Sequence, residues 1–297
     1  MRNDNTIDIL LWLILAAMWS SSYAVIKIAV AGMDPSVLVL GRMLVGGVII
    51  CTALKVRGMS LSRKLQDWFS YAVTGFFGSA FPFLLITYGE LTVDSALASI
   101  LMGVVPVATL LLAAAFVPDE KLTLRGMVGV LGGFLGVSVL VGPTALTGLG
   151  TQLAGQLAII GATLCYALST VYIRRFVQRP ALEMAAGSMI VGTLFMVGVV
   201  LATGADLTTV EPTVTSLGAM LYLGLFSTAC ANLIYFFLVP RLGATRMSQV
   251  NFAVPAGGAL LGVLLLGEAM TLQRIAALAI IVGSVYIGTT RGRGIKA

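Results

Sequence analysis

Apolar blocks about 20 residues long, separated by short polar runs, recur along the whole chain. A helix rises 1.5 Å per residue, so about 20 apolar residues cross the hydrocarbon core of a bilayer. Each block therefore predicts a membrane-spanning helix. The pattern predicts ten, at 7–29, 35–55, 68–90, 94–117, 123–141, 153–176, 182–203, 215–238, 245–267 and 271–289. The short alternating segments of a transmembrane barrel do not occur. The connections are too short to hold a soluble domain. The first block is too long for the apolar region of a cleaved signal and reads as the first membrane helix.

Composition agrees with the pattern. Hydrophobic residues make up 59% of the chain, charged residues 10%, and mean hydropathy is +1.03. A soluble domain carries about 25% charged residues. Ten spans place both termini on one side of the membrane. Fifteen of the 18 lysines and arginines fall on that side, Lys27 and Arg274 on the other, and Arg42 inside a span. The positive-inside rule then predicts cytoplasmic termini. This bias accounts for the net charge of +6 without any nucleic-acid partner.

The halves resemble each other. A shift of 147 aligns Trp19, Tyr23 and Lys27 with Tyr166, Thr170 and Arg174. A shift of 149 aligns Gly75, Phe77, Tyr88 and Pro106 with Gly224, Phe226, Phe237 and Pro255. A shift of 148 aligns "EKLTL" at Glu120–Leu124 with "EAMTL" at Glu268–Leu272. The chain thus divides into repeats at 1–146 and 147–297. Five spans is an odd number, so the second repeat enters the membrane inverted. Inverted repeats are an architecture of secondary transporters, whose substrate site lies near mid-membrane between the repeats. The expected fold is all-α, with ten helices around a central cavity.

The polar residues inside the spans are the candidates for that cavity. In "WSSSYAVIK", Trp19, Ser22 and Tyr23 share one helix face, and Trp19 lies about halfway through the span. Either this face walls a water-filled cavity, or the serines bond to carbonyls of the preceding turn or glue helices together. Tyr166 occupies the position of Trp19 in the second repeat, with Ser169 one turn on. Two rings facing each other there would sandwich a flat or hydrophobic side chain. Further candidates are Tyr88, Met102, Pro106, Asn232, Tyr235, Asn251 and Pro255. Pro106 and Pro255 each leave the carbonyl four residues earlier, on Met102 and Asn251, without its helical donor. Asn232 and Asn251 are costly in lipid and should face the bundle interior. Arg42 sits near the extracytoplasmic end of its span. It is expected to pair with Glu90 or Asp94, the alternative being a substrate carboxylate. Glu90 and Glu268 are read as structural charges.

Absences narrow the chemistry. The chain has no histidine, the commonest metal ligand and general base. The three cysteines fall in different spans with no CxxC pair. No cofactor or metal is expected. No paired midplane aspartates suggest a membrane enzyme, no ring of like groups suggests a channel filter, and no GxxxxGK[ST] run suggests a phosphate loop. All twelve acids fall at span ends or in connections. The expectation is facilitated movement of a neutral or zwitterionic solute. Gly126, Gly129, Gly132, Gly133 and Gly136 give the fifth span a small-residue stripe, read as a contact between halves or a dimer face. A monomer is favoured.

"WSSSYAVIK", "PSVLVLGRM" at Pro35–Met43, "SALASILMGVVPVATLLLAAAF" at Ser95–Phe116 and "LGEAMTLQRIAALAIIVGSVYI" at Leu266–Ile287 together resemble the drug/metabolite transporter superfamily. The ten-helix EamA-type exporters are the most similar group. One departure is Pro118-Asp119-Glu120, where that group usually has Leu-Gly-Glu. The resemblance covers nearly the whole chain. It implies a multi-pass inner-membrane exporter of drugs or metabolites, most similar to exporters of aromatic amino acids.

Overall fold

A computed structural model describes residues 2–143, 149–150, 152–205, 213–266 and 269–289. Among them every regular element is helical. Helix α1 covers Arg2–Val30 and α2 covers Pro35–Val56. Helix α3 runs from Leu65–Gly75 through a π-helical segment, Phe76–Ala80, into Phe81–Gly89. Helix α4 is made of Ser95–Met102 and Val104–Phe116. Leu124–Val141 is α5, Leu153–Phe176 α6 and Ala181–Thr203 α7. Helix α8 joins Val214–Tyr222, a π segment at Leu223–Cys230, and Ala231–Leu242. Helix α9 is made of Ala244–Ser248 and Val250–Leu266, and α10 is Leu272–Thr289. Seven helical stretches are long and apolar enough to cross a membrane, and Ile100–Phe116 and Leu272–Gly288 are shorter apolar helices.

Local chemistry explains several boundaries. The Asp34 carboxylate accepts the Ser36 N–H at the start of α2, and Pro35 supplies a preset φ at the first helical position. Thr123 and Thr213 cap α5 and α8 the same way. Helix α4 breaks at Gly103, three residues before Pro106. Helix α9 breaks at Gln249 and then carries Pro255 within its second part.

Packing between the halves follows a swapped pattern. Helix α5 lies along α10, and α2 along α7. Helix α3 packs on α6 and α7, while α8 packs on α1 and α2. Helix α4 packs on α6, and α9 on α1. The glycine stripe of α5 lets it approach α10 closely. A Cβ on Gly129 would lie 2.7 Å from Gly288 Cα, and one on Gly136 would lie 2.7 Å from Ile281 Cγ1. Of the two roles open to the stripe, it fills the contact between halves of one chain.

The ion pairs of the described residues gather at one end of the bundle. Arg241 at the end of α8 holds Asp8 at the start of α1, 2.8 Å. Arg174 at the end of α6 pairs with Asp119 and, at 3.1 Å, with Glu120. Arg179 bridges Asp67 and Glu183, each at 3.1 Å. Glu120 also accepts the Ala244 and Thr245 N–H groups at 2.7 and 2.9 Å, where α9 begins. All but the Arg179–Glu183 pair link residues on opposite sides of position 147.

Candidate functional site

Between the helices lies a cavity lined by Trp19, Ser22, Tyr23 and Ile26 of α1, Arg42 of α2, Phe83 and Ile86 of α3, and Met102 and Val105 of α4. Tyr166 of α6, Tyr235 of α8, and Asn251 and Val254 of α9 complete it. The space open to the centre of a water molecule is about 60 Å³. One water needs about 10–15 Å³ by this measure. The cavity in this conformation therefore holds a few waters, and a larger solute requires its walls to part.

The aromatic wall differs from expectation in its pairing. Trp19 and Tyr166 line the same cavity, but the ring contacting Trp19 is Tyr235, at 5.7 Å between centroids and 45° between planes. The Tyr235 hydroxyl bonds to Thr170 of α6. Trp19 and Tyr235 thus form the ring pair, and Tyr166 lines the same cavity without a ring contact to either among the described residues.

Trp19, Ser22 and Tyr23 line the cavity, while the hydroxyls of "WSSSY" are also spent within and between helices. Ser20 donates back to the Ala16 carbonyl at 2.6 Å and sits against Gly257 of α9. Ser21 bonds the Tyr222 hydroxyl at 2.8 Å. Ser22 lines the cavity, yet its hydroxyl donates to Ser227 of α8 at 2.8 Å. A buried hydroxyl without a partner costs a few kcal/mol, so each serine is satisfied on a neighbouring helix or its own.

Arg42 pairs with neither Glu90 nor Asp94, which corrects the structural-pair reading. It is 3% exposed and lines the cavity. Its Nε donates to Thr228 Oγ1 at 3.0 Å, and Cζ lies 3.9 Å from the Phe83 ring centroid. Among the described residues, no carboxylate lies within ion-pair distance of it. Thr228 sits in the π segment of α8, and its carbonyl accepts from Asn232 Nδ2 at 2.9 Å.

Five of the expected contact residues do not line the cavity. Tyr88 is 40% exposed. Asn232 turns back to Thr228, and Ser169 packs against Gly78 of α3. Pro106 and Pro255 stand back from the lining, which takes Met102 and Asn251 instead. Glu90 caps α3, one residue past the apolar span Leu65–Gly89. It is 5% exposed, and neither carboxylate oxygen has a hydrogen-bond partner among the described residues. Glu268 lies outside the described residues.

Sequence reasoning missed Ile26, Phe83, Ile86, Val105 and Val254. A signal for most of them was present. Ile26, Val105 and Val254 each lie three residues beyond a named candidate (Tyr23, Met102, Asn251), on the same helix face. Phe83 and Ile86 had no such polar marker.

The model of the EamA-like transporter family matches twice, at residues 6–142 and 153–290. The chain belongs to that family. As a family member it is a membrane transporter of a small-molecule substrate. A relative from Archaeoglobus fulgidus, described as "Uncharacterized transporter", is 24% identical over 93% of this chain and 97% of its own length. A Salmonella typhimurium relative, "Probable amino-acid metabolite efflux pump", is 26% identical over 94% of each chain. The Escherichia coli K12 "Uncharacterized inner membrane transporter YedA" is 27% identical over 93% of this chain and 88% of its own. One solved crystal structure shares the fold, with a TM-score of 0.77 at 22% identity over 94% of this chain and 96% of that one.

Proposed function

We propose that this EamA-family transporter exports neutral, chiefly aromatic, amino acids and related small metabolites across the inner membrane by alternating access. The observation that carries the reading is a cavity lined by five aromatic rings, Trp19, Tyr23, Phe83, Tyr166 and Tyr235, and, among the described residues, a single charge, Arg42. Aromatic faces suit a flat or apolar side chain. The name of the Salmonella typhimurium relative supports the amino-acid class.

Ten membrane crossings in two inverted repeats, 1–146 and 147–297, with cytoplasmic termini, complete the proposal. Support comes from the swapped packing of the halves, from π segments at matching positions in α3 and α8, and from a family model that fits the chain twice. Movement is facilitative, because none of the described acids lines the cavity. A second reading is efflux of drugs or other small metabolites, favoured by the apolar side chains of Ile26, Ile86, Val105 and Val254.

The test is counterflow. Purified protein in liposomes loaded with unlabelled phenylalanine or tryptophan should accumulate the labelled amino acid, equally with and without a pH gradient. Absence of counterflow in folded protein discards the amino-acid assignment in favour of the second reading. Dependence on the pH gradient discards the facilitative step alone.

A further inference from the structure

An arginine held inside a membrane protein needs a counter-charge or a purpose. Its guanidinium stays charged throughout the physiological range and offers five N–H donors in a fixed plane. At Arg42 one of these is used: Nε donates to Thr228 at 3.0 Å. One face of the plane is covered by Phe83, at 3.9 Å from Cζ to the ring centroid. No described group hydrogen-bonds Nη1 or Nη2, and no described carboxylate neutralises the charge. The residue is 3% exposed and lines the cavity.

These facts describe a fork fixed at its base and on one face, with its outer edge unused. Thr228 holds Nε, and Phe83 sets the plane. The two Nη groups present the parallel N–H pair that carboxylates accept bidentately. The largely apolar lining strengthens such a bond once the solute displaces the few waters the cavity has room for.

We propose that Arg42 is the carboxylate-recognising residue of the cavity, so that the transporter selects solutes bearing a carboxylate and excludes organic cations. The proposal rests on the reading of the cavity as the substrate site. Opposite polarity is available there for an ammonium group. Asn251 and Met102 line the same cavity, and their carbonyls lack an i+4 donor because residues 255 and 106 are prolines. A zwitterion would then lie with its carboxylate on Arg42 and its ring among Trp19, Tyr166 and Tyr235.

The experiment separates binding from transport. Purified full-length protein in detergent is heated with phenylalanine, 3-phenylpropionate, phenylalaninamide or phenethylamine, and the stabilisation by each is titrated. In liposomes the same four compounds compete against labelled phenylalanine. Wild-type protein should respond to phenylalanine and 3-phenylpropionate at concentrations ten-fold or more below the two amines lacking a carboxylate. Arg42→Gln should lose that preference, and Arg42→Lys should keep part of it. Thr228→Val, which leaves the charge but frees Nε, should weaken carboxylate binding by a smaller factor. Equal responses to phenylalanine and phenylalaninamide in wild type overturn the proposal, as does an Arg42→Gln protein that keeps the preference. If Arg42→Gln fails to fold, the wild-type series decides alone. Carboxylate-selective stabilisation without phenylalanine counterflow would sink the amino-acid export reading while upholding the role of Arg42. Stabilisation by none of the four compounds overturns the proposal for this cavity.

Discussion

Replacing Glu120 with alanine should both loosen the protein and unlatch one end of it. The Glu120 carboxylate, 13% exposed, accepts three hydrogen bonds: from Ala244 and Thr245 N–H at 2.7 and 2.9 Å, and from Arg174 Nε at 3.1 Å. It thus ties the end of α4 to the start of α9 and the end of α6. A hydrogen bond to a charged group contributes about 1.5–3 kcal/mol. Arg174 keeps Asp119, and water partly replaces the carboxylate at the two freed N–H groups. The net loss is then about 2–4 kcal/mol, against a simple sum of about 5–9 kcal/mol for three such bonds. For a chain of this size each kcal/mol lowers Tm by about 2 °C, so a fall of about 4–8 °C in detergent is expected. Glu120→Gln should fall between, because one amide oxygen can still serve Ala244 and Arg174. The functional consequence is read by labelling. With Cys51, Cys165 and Cys230 removed, a cysteine at Val105 in the cavity should react faster with an impermeant maleimide added from the ion-paired end when Glu120 is alanine. A Tm within about 1 °C of wild type, with unchanged labelling, would refute the idea that this cluster closes that end.

Three further outcomes are expected. Trp19→Ala should lower counterflow about ten-fold or more, and should cost less than the about 3–5 kcal/mol of a fully buried Trp because the ring is half-buried and faces the cavity; transport at the wild-type rate would remove Trp19 from the substrate surface. Gly129→Ala should destabilise by about 1–3 kcal/mol, because the new methyl would lie 2.7 Å from Gly288 Cα and 3.0 Å from the Ser284 carbonyl oxygen, where only backbone can yield; an unchanged Tm would mean that α5 and α10 separate freely. Burial pushes the Glu90 carboxyl from its ordinary 4.5 up to about 8, against the opposing pull of Lys27 and with Tyr23 also nearby. A raised carboxyl pKa favours the folded state at low pH, so stability should fall as pH rises from about 4.5 to 8, by up to about 1.4 kcal/mol per pH unit. A melting series over that window should slope in wild type and flatten in Glu90→Gln; a flat wild-type series would show that Glu90 finds a partner when ionised.

Much of the site was legible residue by residue, and its assembly was not. Trp19, Ser22, Tyr23, Tyr166, Tyr235 and Asn251 were marked by a polar or aromatic group inside an apolar block, Met102 by the proline four residues on, and all line the cavity. Tyr88, Ser169 and Asn232 carried the same mark and do not. In a soluble helix the apolar stripe reveals which face points inward. A membrane helix has apolar neighbours on every side, whether lipid or protein, so its sequence carries little rotational phase. That is why Ser169 could not be told from Ser22, nor Arg42 as a cavity residue from Arg42 as half of an ion pair.

The apolar blocks, their length and the spread of lysine and arginine by themselves determined that this is a membrane-embedded helical protein, because bilayer thickness and the cost of unpaired backbone in lipid admit few alternatives. The motifs determined the family. Only the tertiary structure decided what the polar groups do. It set Ser20, Ser21 and Ser22 to joining or satisfying helices and left Arg42 facing a cavity without a carboxylate. The physical reason is that a buried polar group is defined by its partner, and here the partners stand far off in the chain, as Ser227 does from Ser22, 205 positions away.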